Sequence, residues 1–264
     1  MLTMKCLIAL CVLAATCAQA KEACDMELQG GLRITNATLE FTADEKVQYK
    51  ILKNQDLWVN DRPLVLNPSQ QQLVKQYAAS IRALVPEVRQ VSLDGVDLAS
   101  EAMHLVFQEI LEPDNDTAKK IDHEFSLLKR DIKNSFADGK TINVNQKGIS
   151  DGDFFGMNFE SRISNIVEAS GKEISWNLIK SLGGAIFSDS DKRGDFETRM
   201  NKFGEKMEHQ MKARSEQLGK RSEAICHSVI LLDAQEEELK KSIKAISQFN
   251  LILIKKNPEL KQSI

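Results

Sequence analysis

The sequence predicts an α+β fold: a small N-terminal antiparallel β-meander followed by a mostly helical bundle with a long C-terminal helix. Three patterns carry this expectation. Apolar residues alternate with period two between Leu32 and Leu66, switch to helical spacing after Asn67-Pro68, and repeat by four and three from Leu218 to Ile246.

The alternating stretch contains Leu32 and Ile34, Leu39 and Phe41, Val47, Tyr49 and Ile51, Leu57 and Val59, and Leu64 and Leu66. Several short period-two runs read as antiparallel strands with one face turned to a core. Asn60-Asp61-Arg62-Pro63 interrupts the last two runs and has the composition of a hairpin turn.

Asn67 followed by Pro68 reads as a helix N-cap with proline at the first helical position. Leu73, Tyr77, Ile81 and Leu84 then recur at helical spacing, and Pro86 is expected to end that helix. A second helix carries Leu98, Ala102, Leu105 and Val106 toward Pro113. A third starts near Asp116, carries Ile121, Phe125, Leu128 and Ile132, and stops at Asp138-Gly139. Thr141 to Val144 reads as a short strand, and Phe159, Ile163, Ile166, Ile174 and Leu178 as a further helical stretch ending at Gly183-Gly184.

The last element has the clearest pattern. Leu218, Ser222, Ile225, Val229, Leu232, Glu236, Leu239, Ile243 and Ile246 form one seam on a helix roughly 40 Å long. Such a seam needs a partner, and Ser222 and Glu236 within it disfavour a pure dimeric coiled coil. An intramolecular partner is therefore expected, and a monomer is favoured.

The N-terminus carries a separate signal. Lys5 precedes an apolar run from Cys6 to Ala15, and Ala18-Gln19-Ala20 is a small-x-small site, so residues 1–20 read as a signal peptide cleaved after Ala20. The run is too short for the ~20 residues of a membrane span. Thr16 before Cys17 argues against a lipidated cysteine. In this reading residues 21–67 are the meander, and 68–264 are a helical region forming one compact domain with it.

Removing residues 1–20 takes away Lys5 and no acidic residue, so the net charge moves from −3 to −4. Both signs are interspersed along the chain. That balance excludes a phosphate-tracking surface, and no nucleic-acid partner is expected. The mature chain keeps two of its five cysteines, Cys24 and Cys226. In an oxidising compartment such a pair is expected to form a disulfide, and a separation of 202 positions makes a redox Cys-x-x-Cys motif irrelevant. Closing so long a loop is worth about 5 kcal/mol in the chain-entropy model.

No constellation of catalytic or ligand-binding residues stands clear of a structural explanation, so no catalytic, cofactor or metal residue is assigned. Asp189, Asp191 and Gly194 imitate a calcium loop, but Arg193 and Met200 occupy positions that demand oxygen ligands; Asp151, Asp153 and Gly156 fail likewise at Phe155 and Arg162. Both read as Asp-Gly loops between helices. Met200, Met207 and Met211 with His209 raise the idea of copper, because thioethers and imidazole bind Cu(I). Their spacing with Phe203 instead fits a buried helical stripe continued by Leu218, with His209 pointing away. His104, His123, His209 and His227 make no paired zinc motif.

The stretch Asp56 to Asn67, followed by the helix with Gln71, Tyr77, Ile81 and Pro86, resembles the YggN-like proteins of gammaproteobacteria, exported proteins of unknown function. Cys24, Ala137-Asp138-Gly139, Gly183-Gly184 and Cys226 extend the likeness; the acidic Asp189 to Asp195 segment and the tail after Phe249 depart from it. The resemblance implies a bacterial periplasm, where the sequons at Asn36 and Asn115 are moot, and it implies no catalytic residue. The expected function is a non-enzymatic periplasmic protein that binds another envelope protein through helical surface or a sheet edge. The alternatives are a periplasmic chaperone or holdase with an apolar groove, and, last, a hydrolase with dispersed carboxylates.

Overall fold

A computed structural model describes residues 26–44, 46–110, 116–145, 148–149 and 190–254. The fold is α+β. Its strands are β1 (Met26–Leu28), β2 (Gly31–Ile34), β3 (Thr38–Ala43), β4 (Lys46–Leu52), β5 (Asp56–Val59) and β6 (Arg62–Pro63), followed by helices α1 (Pro68–Ile110) and α2 (Asp116–Ser135). Strands β7 (Ile142–Asn145) and β8 (Gly148–Ile149), helix α3 (Ser190–Ser242), a 3-10 turn (Lys244–Ile246) and β9 (Ile252–Ile254) complete the described chain. It forms two compact units: residues 1–88, 138–150 and 219–264 make unit 1, and residues 89–137 and 151–218 make unit 2.

In unit 1 the meander is an antiparallel sheet in the order β6-β5-β4-β3-β2-β7-β8. The period-two pattern sets its register: Phe41 pairs with Tyr49 and Leu39 with Ile51, so one face collects Leu32, Ile34, Leu39, Phe41, Tyr49, Ile51, Leu57 and Ile142, all buried. Asn60 and Asp61 take the left-handed backbone, φ 51° and 57°, that a tight hairpin needs, and β5 returns as β6. The short strand expected near Thr141 is β7, which pairs with β2.

Helix α1 starts with a reciprocal cap. The Gln70 amide N–H donates to Asn67 Oδ1 at 2.9 Å, and the Asn67 N–H donates to Gln70 Oε1 at 3.1 Å. Val74, Tyr77, Ala78 and Ile81 then cover the sheet's apolar face. Arg82 follows, donating to Asn54 Oδ1 at 2.6 Å and to the Thr35 carbonyl at 2.7 Å, which fastens two hairpin turns to the helix.

Pro86 does not end this helix. The segments read as two helices on either side of it are one, from Pro68 to Ile110. Proline leaves the Arg82 carbonyl without its helical donor, at a cost of about 3 kcal/mol or more. Apolar burial continues on both sides, however, through Ile81 in unit 1 and through Leu93, Val96 and Leu105 in unit 2. At about 1.5–3 kcal/mol per buried large side chain, packing outweighs the lost bond.

Unit 2 is helical. Lys129 of α2 is ion-paired with Asp97 of α1, and Asp122 lies 3.9 Å from His104. The partner numbers run in opposite directions, so α1 and α2 are antiparallel here. Their interface buries Leu93, Val96, Leu105, Ile121, Phe125, Leu128, Ile132 and Phe136. Arg214 of α3 pairs with Glu101, and Leu218 stands over Gly95, so α3 also runs antiparallel to α1.

Helix α3 has 53 residues, about 80 Å, twice the length its seam predicted. The extension absorbs Asp191, Arg193, Gly194 and Asp195, expected in a loop; acidic residues suit the positive amino end of a helix. At the other end the seam outlasts the helix, because Ile243 is extended and Lys244–Ile246 is a 3-10 turn. Leu232, Glu236 and Leu239 are buried within unit 1, so the seam finds its partner inside the chain. The Asp151 to Gly156 segment, the helix expected from Phe159 to Leu178, the signal peptide and Cys24 lie outside the described residues.

Candidate functional site

One carboxylate breaks the apolar pattern of the α3 seam. Glu236 is 2 % exposed, the one fully buried charged residue among those described. Its neighbours follow from the helix and the sheet. One turn before it lies Asp233, one turn after it Lys240, and facing it are Tyr49 from β4 and Tyr77 from α1. These are both tyrosines of the chain. The segment after the 3-10 turn closes the site, with the Leu251 N–H donating to Oε1 and Oε2 at 2.9 and 3.1 Å.

Burial is the main influence on this carboxyl and raises it to about 7; the Leu251 and Ile252 amides and Lys240 pull it back, and Asp233 pushes it further up. Asp233 is itself raised, chiefly by burial and then by Glu237. Both tyrosines are raised well above their ordinary value, first by desolvation and then by the charges around them. The Tyr77 hydroxyl lies close enough to Tyr49 for each to perturb the other, yet it finds no partner with full hydrogen-bond geometry. Phe41 stacks on Tyr49 with centroids 4.2 Å apart, and Phe249 meets Tyr49 edge-on at 5.3 Å. A carboxyl this buried, bonded to a backbone N–H and raised toward neutrality, can take up and release a proton.

The aromatic lid is fitted to a glycine. A Cβ on Gly30 would stand 2.7 Å from Phe249 Cζ and 2.9 Å from the Thr42 carbonyl oxygen. The ring can turn, but the carbonyl belongs to the sheet. Gly30→Ala is therefore expected to cost about 1–3 kcal/mol, read as a lower urea midpoint; an unchanged midpoint would show that the lid yields freely.

Unit 2 presents a different feature, an open groove of about 420 Å³ lined by Asp97, Ser100, Glu101, His104, Asp122 and Arg214. Its acids face basic side chains: Asp97 pairs with Lys129, Glu101 with Arg214, and Asp122 lies 3.9 Å from His104. Their side chains are 47 %, 33 % and 50 % exposed, so these are surface ion pairs worth little each, not two buried carboxylates facing one cleft.

The residues singled out in the sequence are dispersed. Cys226 is buried in α3, 4 % exposed, while Cys24 lies outside the described residues. Phe203, Met207, Met211 and Leu218 form the anticipated stripe on α3 but are only half-buried, and His209 is exposed. The stripe was expected to be buried; in unit 2 the apolar interface is made by α1 and α2, and α3 adds no buried side chain there among those described. His104, His123 and His227 are exposed too, and among the described residues no three His, Cys, Asp or Glu side chains are placed to hold a metal ion. No described helix is long and apolar enough to cross a membrane.

Sequence reasoning had Glu236, Tyr49 and Tyr77 in hand as seam and core positions but did not bring them together. The available signal was a lone acid at a heptad core position. No curated protein and no solved structure matches the chain. A family model described as a protein of unknown function, DUF2884, matches residues 24–252. That span takes in the meander, α1, α2 and the α3 seam with its buried carboxylate, and the chain belongs to the DUF2884 family.

Proposed function

We propose that this chain is a non-enzymatic periplasmic protein, akin to the YggN-like proteins of gammaproteobacteria, that binds another envelope protein through the side of α3. The observation that carries the reading is the exposure of that helix. From Asn201 to Ala224 no side chain is buried, while Phe203, Met207, Met211 and Leu218 keep a half-covered apolar stripe at spacings of four, four and seven. Such a stripe fits helix-in-groove recognition, and methionine adapts to irregular surfaces.

The sheet edges serve this role less well. Strand β6 ends one edge with two residues, one of them Pro63, which has no N–H to donate, and the other edge, β8, also has two residues. The exported state rests on the Lys5, Cys6–Ala15 and Ala18-Gln19-Ala20 pattern.

A photo-crosslinking amino acid at Met207 or Met211, in full-length protein exported in intact cells, is expected to give one discrete adduct containing an envelope protein. The same probe at Glu238, on unit 1, serves as the control. Met207→Glu with Met211→Glu, scored by a probe at His209, is expected to reduce the adduct at least about tenfold without lowering the melting temperature. A smear of many captured chains would replace the single-partner reading with a holdase, and no adduct from any of the three α3 positions would overturn both.

A further inference from the structure

Within unit 1 the end of the described chain is held by an aromatic contact, a short ladder and one residue bonded on both sides. Segment 249–254 leaves the 3-10 turn, sets Phe249 against Tyr49 and Phe41, and pairs as β9 with β1. Leu251 stands at its centre. Its carbonyl accepts the Gln29 and Gly30 N–H groups at 2.8 and 3.3 Å, and its own N–H enters the Glu236 carboxylate. Helix α3, the C-terminal segment and the turn after β1 thus meet at a single residue.

Among the described residues no cation pairs with the carboxylate in this joint. Lys240, the nearest, donates to Asn250 Oδ1 at 2.7 Å and pairs with Glu237. The groups that face Glu236 are the Tyr49 phenol from β4, the Tyr77 phenol from α1, Asp233 and Lys240 from its own helix, and the Leu251 and Ile252 amides from the closing segment. A charge held there loses its water and gains two amide dipoles in return. The neutral acid keeps an acceptor oxygen for Leu251 and adds an O–H donor beside two phenol oxygens.

We propose that Glu236 and Leu251 form a proton-dependent latch: with the Glu236 carboxyl protonated, segment 249–254 and β1 are held shut, and on its ionisation they loosen together. The proton goes to solvent and no bond other than the carboxyl O–H breaks. In the shut state burial raises the carboxyl to about 7, whereas an opened segment returns it to the ordinary value of 4.5. A group raised by folding stabilises fully below its unfolded value and loses that contribution as pH rises toward its folded value. The latch is therefore tightest below about pH 4.5, weakens up to about pH 7, and changes little beyond. Between pH 5 and pH 8 the opening equilibrium is expected to rise roughly seventyfold.

Hydrogen–deuterium exchange of the full chain, corrected for the intrinsic pH dependence, tests this directly. Peptides covering 249–254 and 26–30 are expected to lose protection roughly seventyfold from pH 5 to pH 8, while the α2 peptide from Ile121 to Ile132 stays level. In Glu236→Gln, whose side chain cannot ionise, the slope is expected to vanish. A flat wild-type profile, or a slope that survives the substitution, overturns the latch. If the variant does not fold, carbon NMR of the Glu236 carboxyl in the wild-type chain decides. A midpoint near 7 that the Leu251 amide shift follows supports the proposal, and a midpoint in the ordinary carboxylate range refutes it.

Discussion

Phe41→Ala is expected to destabilise the protein by about 3–5 kcal/mol, among the largest costs any single side chain here can carry. Phe41 is 0 % exposed, stacks on Tyr49 at 4.2 Å and Tyr77 at 5.8 Å, and takes the edge of Phe249 at 5.9 Å. The void left by its removal would be walled by rings on β4 and α1, both held by backbone hydrogen bonds, so it cannot collapse. Phe41→Leu, which keeps most of the volume, should cost less, about 1–1.5 kcal/mol. Urea denaturation followed by tyrosine fluorescence measures both. A loss under about 1 kcal/mol for the alanine variant would mean that the aromatic cluster is not the core of unit 1.

Removing both mature-chain cysteines, Cys24→Ala with Cys226→Ala, is expected to lower stability by about 2–5 kcal/mol. The bond is our proposal, and three observations support it. Cys226 is buried; β1 begins at Met26, two residues after Cys24; and β1 pairs with β9, just beyond the end of the helix that carries Cys226. Crosslinking would hold the leading strand to α3 independently of its short ladder. Peptide mapping under non-reducing conditions should recover Cys24 and Cys226 in one linked species. Melts with reductant should match melts of the double variant, with helix content retained in both. Two free thiols in the exported protein would remove the crosslink.

The meander was legible because each strand buries one face, so Leu39 and Phe41 or Tyr49 and Ile51 print the period of the backbone directly onto the sequence. The Asn67 cap was legible for a similar reason, since it acts within four residues. Pro86 misled because its cost is local while the burial that offsets it comes from tertiary packing on either side. Strand β9 was hidden: Leu251 to Ile254 reads as four apolar residues, and nothing nearby shows that Met26 to Leu28 will lie beside them. The same distance concealed the candidate site. Glu236 looked like a blemish in a heptad because its donors, Leu251 and Ile252, follow an irregular turn, and its phenols come from two other elements.

The hold of Leu251 on Gln29 and Gly30 also orders events in time. The ribosome makes β1 early and β9 more than two hundred residues later. For most of synthesis the first strand has no mate, and Gly30 has no ring above it. Pairing so distant in sequence is slow to find, because the chain between the two strands must first be brought to order. A chain that stops before this segment therefore lacks the Phe249 edge on Phe41 and Tyr49 and leaves its leading strand loose. Synthesis of β9 is what gives the leading strand its mate, and a copy that ends before Ile252 leaves β1 unpaired.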